Sequence, residues 1–97
     1  MAYGPDTDEL LRRVAAATTN LDVYRLNITS LPALPAGLKR LVCAYTQITS
    51  LPELPAGLQL LYCCNTPITS LPDLPAELAY LYCSYTPLTS LPEIPAS

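Results

Sequence analysis

Residues 58–68, Leu58-Gln59-Leu60-Leu61-Tyr62-Cys63-Cys64-Asn65-Thr66-Pro67-Ile68, decide the fold, because near-copies stand twenty residues before and after them. Leu38-Lys39-Arg40-Leu41-Val42-Cys43-Ala44-Tyr45-Thr46-Gln47-Ile48 precedes the stretch, and Leu78-Ala79-Tyr80-Leu81-Tyr82-Cys83-Ser84-Tyr85-Thr86-Pro87-Leu88 follows it. The links between copies also repeat. Ile28-Thr29-Ser30-Leu31-Pro32-Ala33-Leu34-Pro35 returns from Ile48, from Ile68 and, as Leu88-Thr89-Ser90-Leu91-Pro92-Glu93-Ile94-Pro95, from Leu88. A fixed period of this size with no insertion is the mark of a solenoid, in which each repeat forms one coil and neighbouring coils share a core. Alternation around Leu41-Val42-Cys43, Leu61-Tyr62-Cys63 and Leu81-Tyr82-Cys83 predicts a short strand per coil with one face inward. Strands are therefore expected near 21–24, 41–44, 61–64 and 81–84. The Leu-Pro-x-Leu-Pro half of each unit cannot be helix interior, because proline lacks the N–H donor and fixes φ. Extended, polyproline-like or turning backbone is expected there.

The chain has 97 residues, enough for one domain with a modest core. It contains no Trp and no Phe, so Leu fills the core and Tyr is the aromatic residue. Net charge is −3, and the five basic residues, Arg12, Arg13, Arg25, Lys39 and Arg40, lie in the N-terminal half. No basic stripe of the kind that binds nucleic acid is present. Eight of the eleven prolines fall at the repeating Leu-Pro positions and are structural. No apolar run reaches the roughly 18 residues of a membrane span. No basic segment followed by an apolar core marks a secretory signal, so a cytoplasmic, reducing location is the default and the four cysteines are expected as thiols.

Ahead of the repeats, residues 1–5 read as an irregular lead. Asp6 is placed to cap a helix of roughly residues 7–18, with Glu9 completing a capping box. Leu10, Leu11, Val14, Ala15 and Ala17 or Thr18 give that helix an apolar face, with Arg12 and Arg13 facing out. A helix this short is marginal in isolation and must dock. The division expected is a capping helix over residues 1–20 and a repeat region over 21–97, comprising one degenerate unit, three regular units and a partial last one.

The recurring Leu-x-x-Leu-x-Cys-x-x-Thr-x-Ile and Leu-Pro-x-Leu-Pro motifs resemble the leucine-rich-repeat family. The match is nearest to its shortest, bacterial class, which has units of about twenty residues and is known from secreted effector proteins. The resemblance covers about residues 21–97, and the preceding helix looks like the N-terminal cap such proteins carry. It implies a short right-handed α/β solenoid with parallel strands on the concave side and extended backbone on the convex side. It also implies a protein partner, and leaves export as an effector open. Two departures are plain. The family's ninth-position Asn is Thr46, Thr66 and Thr86 here, with Leu26 in the first unit, and the sixth position is Cys in three units. A threonine hydroxyl still bonds nearby backbone, with fewer donors than an amide.

Cys43, Cys63 and Cys83 are expected to stack at about the 4.8 Å strand spacing as small buried hydrophobes. Parallel sulfurs without histidine do not make a zinc site. Cys64 follows a core position and is expected to point outward. With no histidine as general base and no glycine-rich phosphate loop, no catalytic residue, cofactor site or metal site is assigned and an enzyme is not expected. Glu53, Asp73 and Glu93 recur at one repeat position and make a charged row on the outer side.

The functional signal lies in what the strands turn outward. Tyr24, Arg40, Tyr45, Tyr62, Cys64, Tyr80, Tyr82 and Tyr85 are expected to gather on or beside the concave face, where tyrosine supplies contact area and a polar tip. Tyr62 and Tyr82 also fit a simple cross-strand pair that only stabilises the sheet. The C-terminal end of the coil, around Leu81-Tyr82-Cys83, is expected to be an open edge. It is either continued by further units or covered by a second copy as a homodimer. Two functions follow: a module that binds a protein through its tyrosine-rich concave face, or a structural repeat that oligomerises through its C-terminal edge.

Overall fold

The computed structural model describes residues 3–88. Within them one helix, α1 (Thr7–Ala16), precedes four three-residue strands: β1 (Asn20–Asp22), β2 (Arg40–Val42), β3 (Leu60–Tyr62) and β4 (Tyr80–Tyr82). The strands pair in parallel in the order β1-β2-β3-β4. Their register is the period of the sequence: Leu21 lies beside Leu41, Leu41 beside Leu61, and Leu61 beside Leu81. Each coil thus contributes one strand to the sheet, and the molecule is a short α/β solenoid.

Each strand starts one residue earlier than the sequence pattern suggests and ends two earlier. Pairing continues past it in single bonds: Cys43 N–H donates to Tyr62 O, and Cys63 N–H to Tyr82 O, both at 2.8 Å. The chain then turns at a residue in the left-handed region, Arg25 (φ 64°), Tyr45 (59°), Asn65 (57°) or Tyr85 (60°). That turn breaks the alternation of side chains and ends each strand. It recurs at a fixed place in every coil, although three of the four residues carry large side chains that disfavour it.

The core is a column of repeat positions. Leu21, Leu41 and Leu61 fill it from the strands, Ile28, Ile48 and Ile68 from beyond the left-handed turns, and Leu38 and Leu58 from the approach to the next strand; all are buried. Each such side chain contributes about 1.5–3 kcal/mol by leaving water. Leu78, Leu81, Cys83 and Leu88, in the last described coil, are only partly buried. The ninth-position threonines act within their own coils. Thr46 Oγ1 donates to Cys43 O at 2.8 Å, Thr66 Oγ1 to Cys63 O at 2.9 Å, and Thr86 Oγ1 to Cys83 O at 2.8 Å. Leu38, Leu58 and Leu78 N–H donate to the carbonyls of Pro35, Pro55 and Pro75, closing a turn after each proline-rich segment. Glu93 and the fourth proline-rich segment lie outside the described residues.

The N-terminal helix differs from expectation in three ways. It ends at Ala16, because Ala17 is already extended (φ −74°, ψ 137°). No capping box forms: Asp6 makes no side-chain cap. Its Oδ2 instead accepts the Asn27 N–H at 2.6 Å, while Glu9 binds Arg12 at 2.8 Å and Arg13 at 2.7 Å. Docking also uses a narrower face. Leu10 is fully buried and Val14 and Ala17 pack against the core, but Leu11 is 44% exposed and Ala15 is exposed. Arg13, expected to face out, is half-buried and donates to Asp22 O at 2.9 Å, joining the helix to β1. The lead is more than a tail: Thr29 N–H donates to Tyr3 O at 2.8 Å. Gly4 has φ +110°, and a Cβ there would lie 3.0 Å from Asn27 O and from Ile28 Cα. Only glycine fits this turn.

Candidate interaction surface

Residues at the two ends of each strand share its outer face, since side chains alternate along it. On β4 these are Tyr80 and Tyr82, whose rings are parallel within 2° with centroids 6.5 Å apart. The register sets Tyr82 beside Tyr62 of β3, and those rings lie 5.4 Å apart at 34°. Towards the N-terminal end of the sheet, Tyr24 and Tyr45 meet edge to face at 5.4 Å and 73°. The Arg25 guanidinium lies 5.4 Å from the Tyr24 centroid and 5.0 Å from that of Tyr45. Ring pairs at these distances contribute about 0.5–1.5 kcal/mol beyond burial, and an exposed cation over a ring about 0.5–1 kcal/mol.

Among the described residues, Tyr24, Tyr45, Tyr62, Tyr80, Tyr82 and Tyr85 are all exposed, from 37% at Tyr62 to 84% at Tyr85. Tyr3 instead packs against the core. Five of the exposed six join two aromatic groups, Tyr24 with Tyr45 and Tyr62 with Tyr80 and Tyr82; Tyr85 has no ring partner among the described residues. Arg40 is exposed on β2, in the row that runs through Leu60 to Tyr80.

Cys64 is placed differently from the sequence expectation. It is 7% exposed, and Ala44, one coil earlier, is fully buried. The strand ends at Tyr62, so alternation no longer applies at residue 64, and the backbone there is already approaching the left-handed turn at Asn65. Cys64 O accepts the Tyr45 N–H at 3.1 Å. The Cys64 thiol beside Tyr62 pushes that phenol's pKa up from its ordinary value, burial adds to the effect, and Tyr45 and Tyr24 raise it further. Tyr62 is therefore a neutral hydroxyl at physiological pH. Cys64 thus lies beneath the face and does not point outward from it.

The remaining thiols are buried or half-buried and unpaired. Desolvation, with Cys63 and Cys64 nearby, raises Cys43 far above the ordinary thiol range. Desolvation, with Cys83 and Cys64 nearby, pushes Cys63 up to about 12. These are inert positions for thiol chemistry. Among the described residues, no three His, Cys, Asp or Glu side chains gather as a metal site. No helix among them is long and apolar enough to cross a membrane.

Two features go beyond the residues assigned to the face from the sequence, which set Arg25 only at its flank. Arg25 belongs to the Tyr24–Tyr45 group; its signal was its position, twenty residues before Tyr45. A cavity of about 420 Å³ opens beside Tyr80, lined also by Arg40, Gln59, Leu60, Glu77 and Ala79. Glu77 breaks the repeat, standing where earlier units have Gly37 and Gly57, and that substitution was the available sign. On the convex side, two open grooves of about 380 and 480 Å³ lie between successive proline-rich segments, bordered by Glu53 and, in the second, by Asp73.

No family model matches the chain, and no curated protein matches it in sequence. Among solved structures it is similar to YopM from Yersinia enterocolitica WA-314, with 34% identity and a TM-score of 0.87 over 94% of this chain. The chain spans 21% of the length of that YopM chain. One parallel strand per twenty-residue coil, a leucine column in register and this likeness to YopM, itself built of leucine-rich repeats, place the chain in the leucine-rich-repeat family.

Proposed function

We propose that the chain, a protein-interaction repeat module by its fold, binds a protein partner through the tyrosine-rich face of its sheet. Tyr24, Arg40, Tyr45, Tyr62, Tyr80, Tyr82 and Tyr85 supply the contacts. The observation that carries this reading is the exposure of six tyrosines around a single small sheet. Exposed aromatic clusters on a rigid support are enriched at protein interfaces, where tyrosine brings large contact area at little cost in side-chain freedom. Ring pairing by itself stabilises strands, but it does not account for Tyr85, which has no ring partner among the described residues and is 84% exposed.

The test is affinity capture followed by measurement on the purified partner. Tyr62→Ala with Tyr82→Ala should weaken a captured protein at least about tenfold. The double variant should keep its far-ultraviolet spectrum and lose only about 1 kcal/mol of stability, since both rings are exposed. Unchanged affinity in a folded double variant would remove binding from this face.

A further inference from the structure

We infer that the Tyr62–Tyr80–Tyr82 group receives an arginine side chain of the protein partner, stacked on the tyrosine rings with its charge directed towards Glu77. This rests on the binding reading above and specifies its chemistry.

The first support is spacing. Tyr80 and Tyr82 leave one strand at i and i+2, where the backbone separates side chains by roughly 6.6 Å. Their rings are parallel within 2° with centroids 6.5 Å apart. Carbon atoms in contact approach to about 3.5–4.0 Å, so a flat group held between two rings would need about 7–8 Å; at 6.5 Å the pair instead offers parallel ring faces on which a flat group stacks from outside. A guanidinium is flat, and it stacks on aromatic faces where an ammonium does not.

The second support is charge. From residue 49 onward the chain carries four acidic residues, Glu53, Asp73, Glu77 and Glu93, and no basic one. Glu77 shares the cavity beside Tyr80. Among the described residues the ion pairs are those of Glu9 with Arg12 and Arg13, and Glu77 takes part in neither. Glu53 and Asp73 border the convex grooves, so the carboxylate offered to a cation beside Tyr80 is that of Glu77. Arg40 stands at the other side of the cavity, two strands from Tyr80, and gives it a positive side facing a negative one.

The third support is the molecule's own precedent. In the first two coils the tyrosine group already holds a guanidinium, that of Arg25, 5.4 Å from one ring and 5.0 Å from the other. The positions matching Arg25 in later coils are Tyr45, Asn65 and Tyr85. The second tyrosine group therefore has the rings and a nearby carboxylate but no arginine from its own chain.

The probe is the blocked pentapeptide Gly-Gly-X-Gly-Gly, with X as arginine, citrulline, lysine or phenylalanine, titrated at low salt while tyrosine ring protons are followed by NMR. The arginine peptide should shift the rings of Tyr62, Tyr80 and Tyr82 more than those of Tyr24 and Tyr45. Citrulline, which keeps the shape but loses the charge, should bind about tenfold more weakly. Glu77→Gln should weaken the arginine peptide several-fold, and Tyr80→Ala should abolish its effect; both side chains are exposed, so both variants should fold. Absent shifts, equal response to citrulline, or tighter binding of phenylalanine would overturn the proposal. A concentration-dependent dimer that the arginine peptide dissociates would assign the arginine to a second copy and overturn the partner. If Tyr62→Ala with Tyr82→Ala releases a captured protein while the arginine peptide leaves the rings unmoved, the face binds by other chemistry, and the guanidinium assignment falls without it.

Discussion

Asp6 and Asn27 are joined twice: the Asp6 N–H donates to Asn27 O at 3.0 Å, and Asp6 Oδ2 accepts the Asn27 N–H at 2.6 Å. The carboxylate that sequence rules assign to its own helix serves the first coil, twenty-one residues away. Asp6→Ala should therefore loosen the docking of the whole N-terminal segment. A loss of about 1–2 kcal/mol is expected in urea unfolding, with Asp6→Asn between the two. The competing local role predicts a different result. If Asp6 acts as a helix cap, Asp6→Ser should be neutral, because serine caps well; if it acts through Asn27, serine should be as damaging as alanine.

The threonines that replace the family's asparagine are the second test. Thr66 is 3% exposed and its hydroxyl donates within its own coil to Cys63 O. Thr66→Val keeps the shape and removes the donor. It should cost about 1 kcal/mol in denaturant midpoint at unchanged slope. A neutral result would show that the carbonyl is satisfied otherwise.

Left-handed backbone at non-glycine residues makes the third prediction. Tyr85 sits at φ 60° without a ring partner among the described residues, whereas Asn65 sits at φ 57° as a residue that tolerates this region. Tyr85→Asn should raise stability by about 0.5–1 kcal/mol, and Asn65→Ala should lower it by a similar amount. Thermal unfolding of the two variants side by side reads both signs.

Stability should also fall in alkali through the buried thiols. Cys63 has its pKa pushed up to about 12 by burial and neighbouring thiols, above the ordinary value of 9.0. The folded state thus holds a proton that the unfolded state releases. Its contribution is complete below pH 9 and is lost as pH rises towards 12, with a slope of at most about 1.4 kcal/mol per pH unit. Cys63→Ala should be less stable at pH 8 through the cavity it leaves, yet show a shallower decline between pH 9 and 12. An unchanged slope would contradict the assignment of that titration to Cys63.

The fold was legible because its information is repeated. Leu41, Leu61 and Leu81 each carry the same message at the same spacing, so an error at one position is corrected by the others. The candidate surface was legible in composition, since six tyrosines at outward positions needed only the period to be gathered. It was not legible in detail. Cys64 follows Cys63, and alternation sends it outward; the left-handed turn at Asn65 brings it in, and nothing local distinguishes the two. Arg25 lies one coil away from one of the rings it covers. Glu77 differs from Gly37 and Gly57, but only the packing beside Tyr80 gives that difference a neighbour.

By itself the sequence determined the coil: a twenty-residue period, one strand per unit, leucine and isoleucine inward and proline on the return. Those features follow from periodicity and backbone sterics, which act within a single repeat. The tertiary structure decided where Asp6 spends its carboxylate, that Cys64 lies beneath the face, that Arg25 rests on Tyr24 and Tyr45, that Tyr80 and Tyr82 stand parallel, and that Tyr80 shares a cavity with Glu77. Most of these bring together groups from different coils or from the helix and a coil. The rest depend on a turn or a ring geometry that the repeat pattern leaves open, so they take definite form only once the coils have stacked.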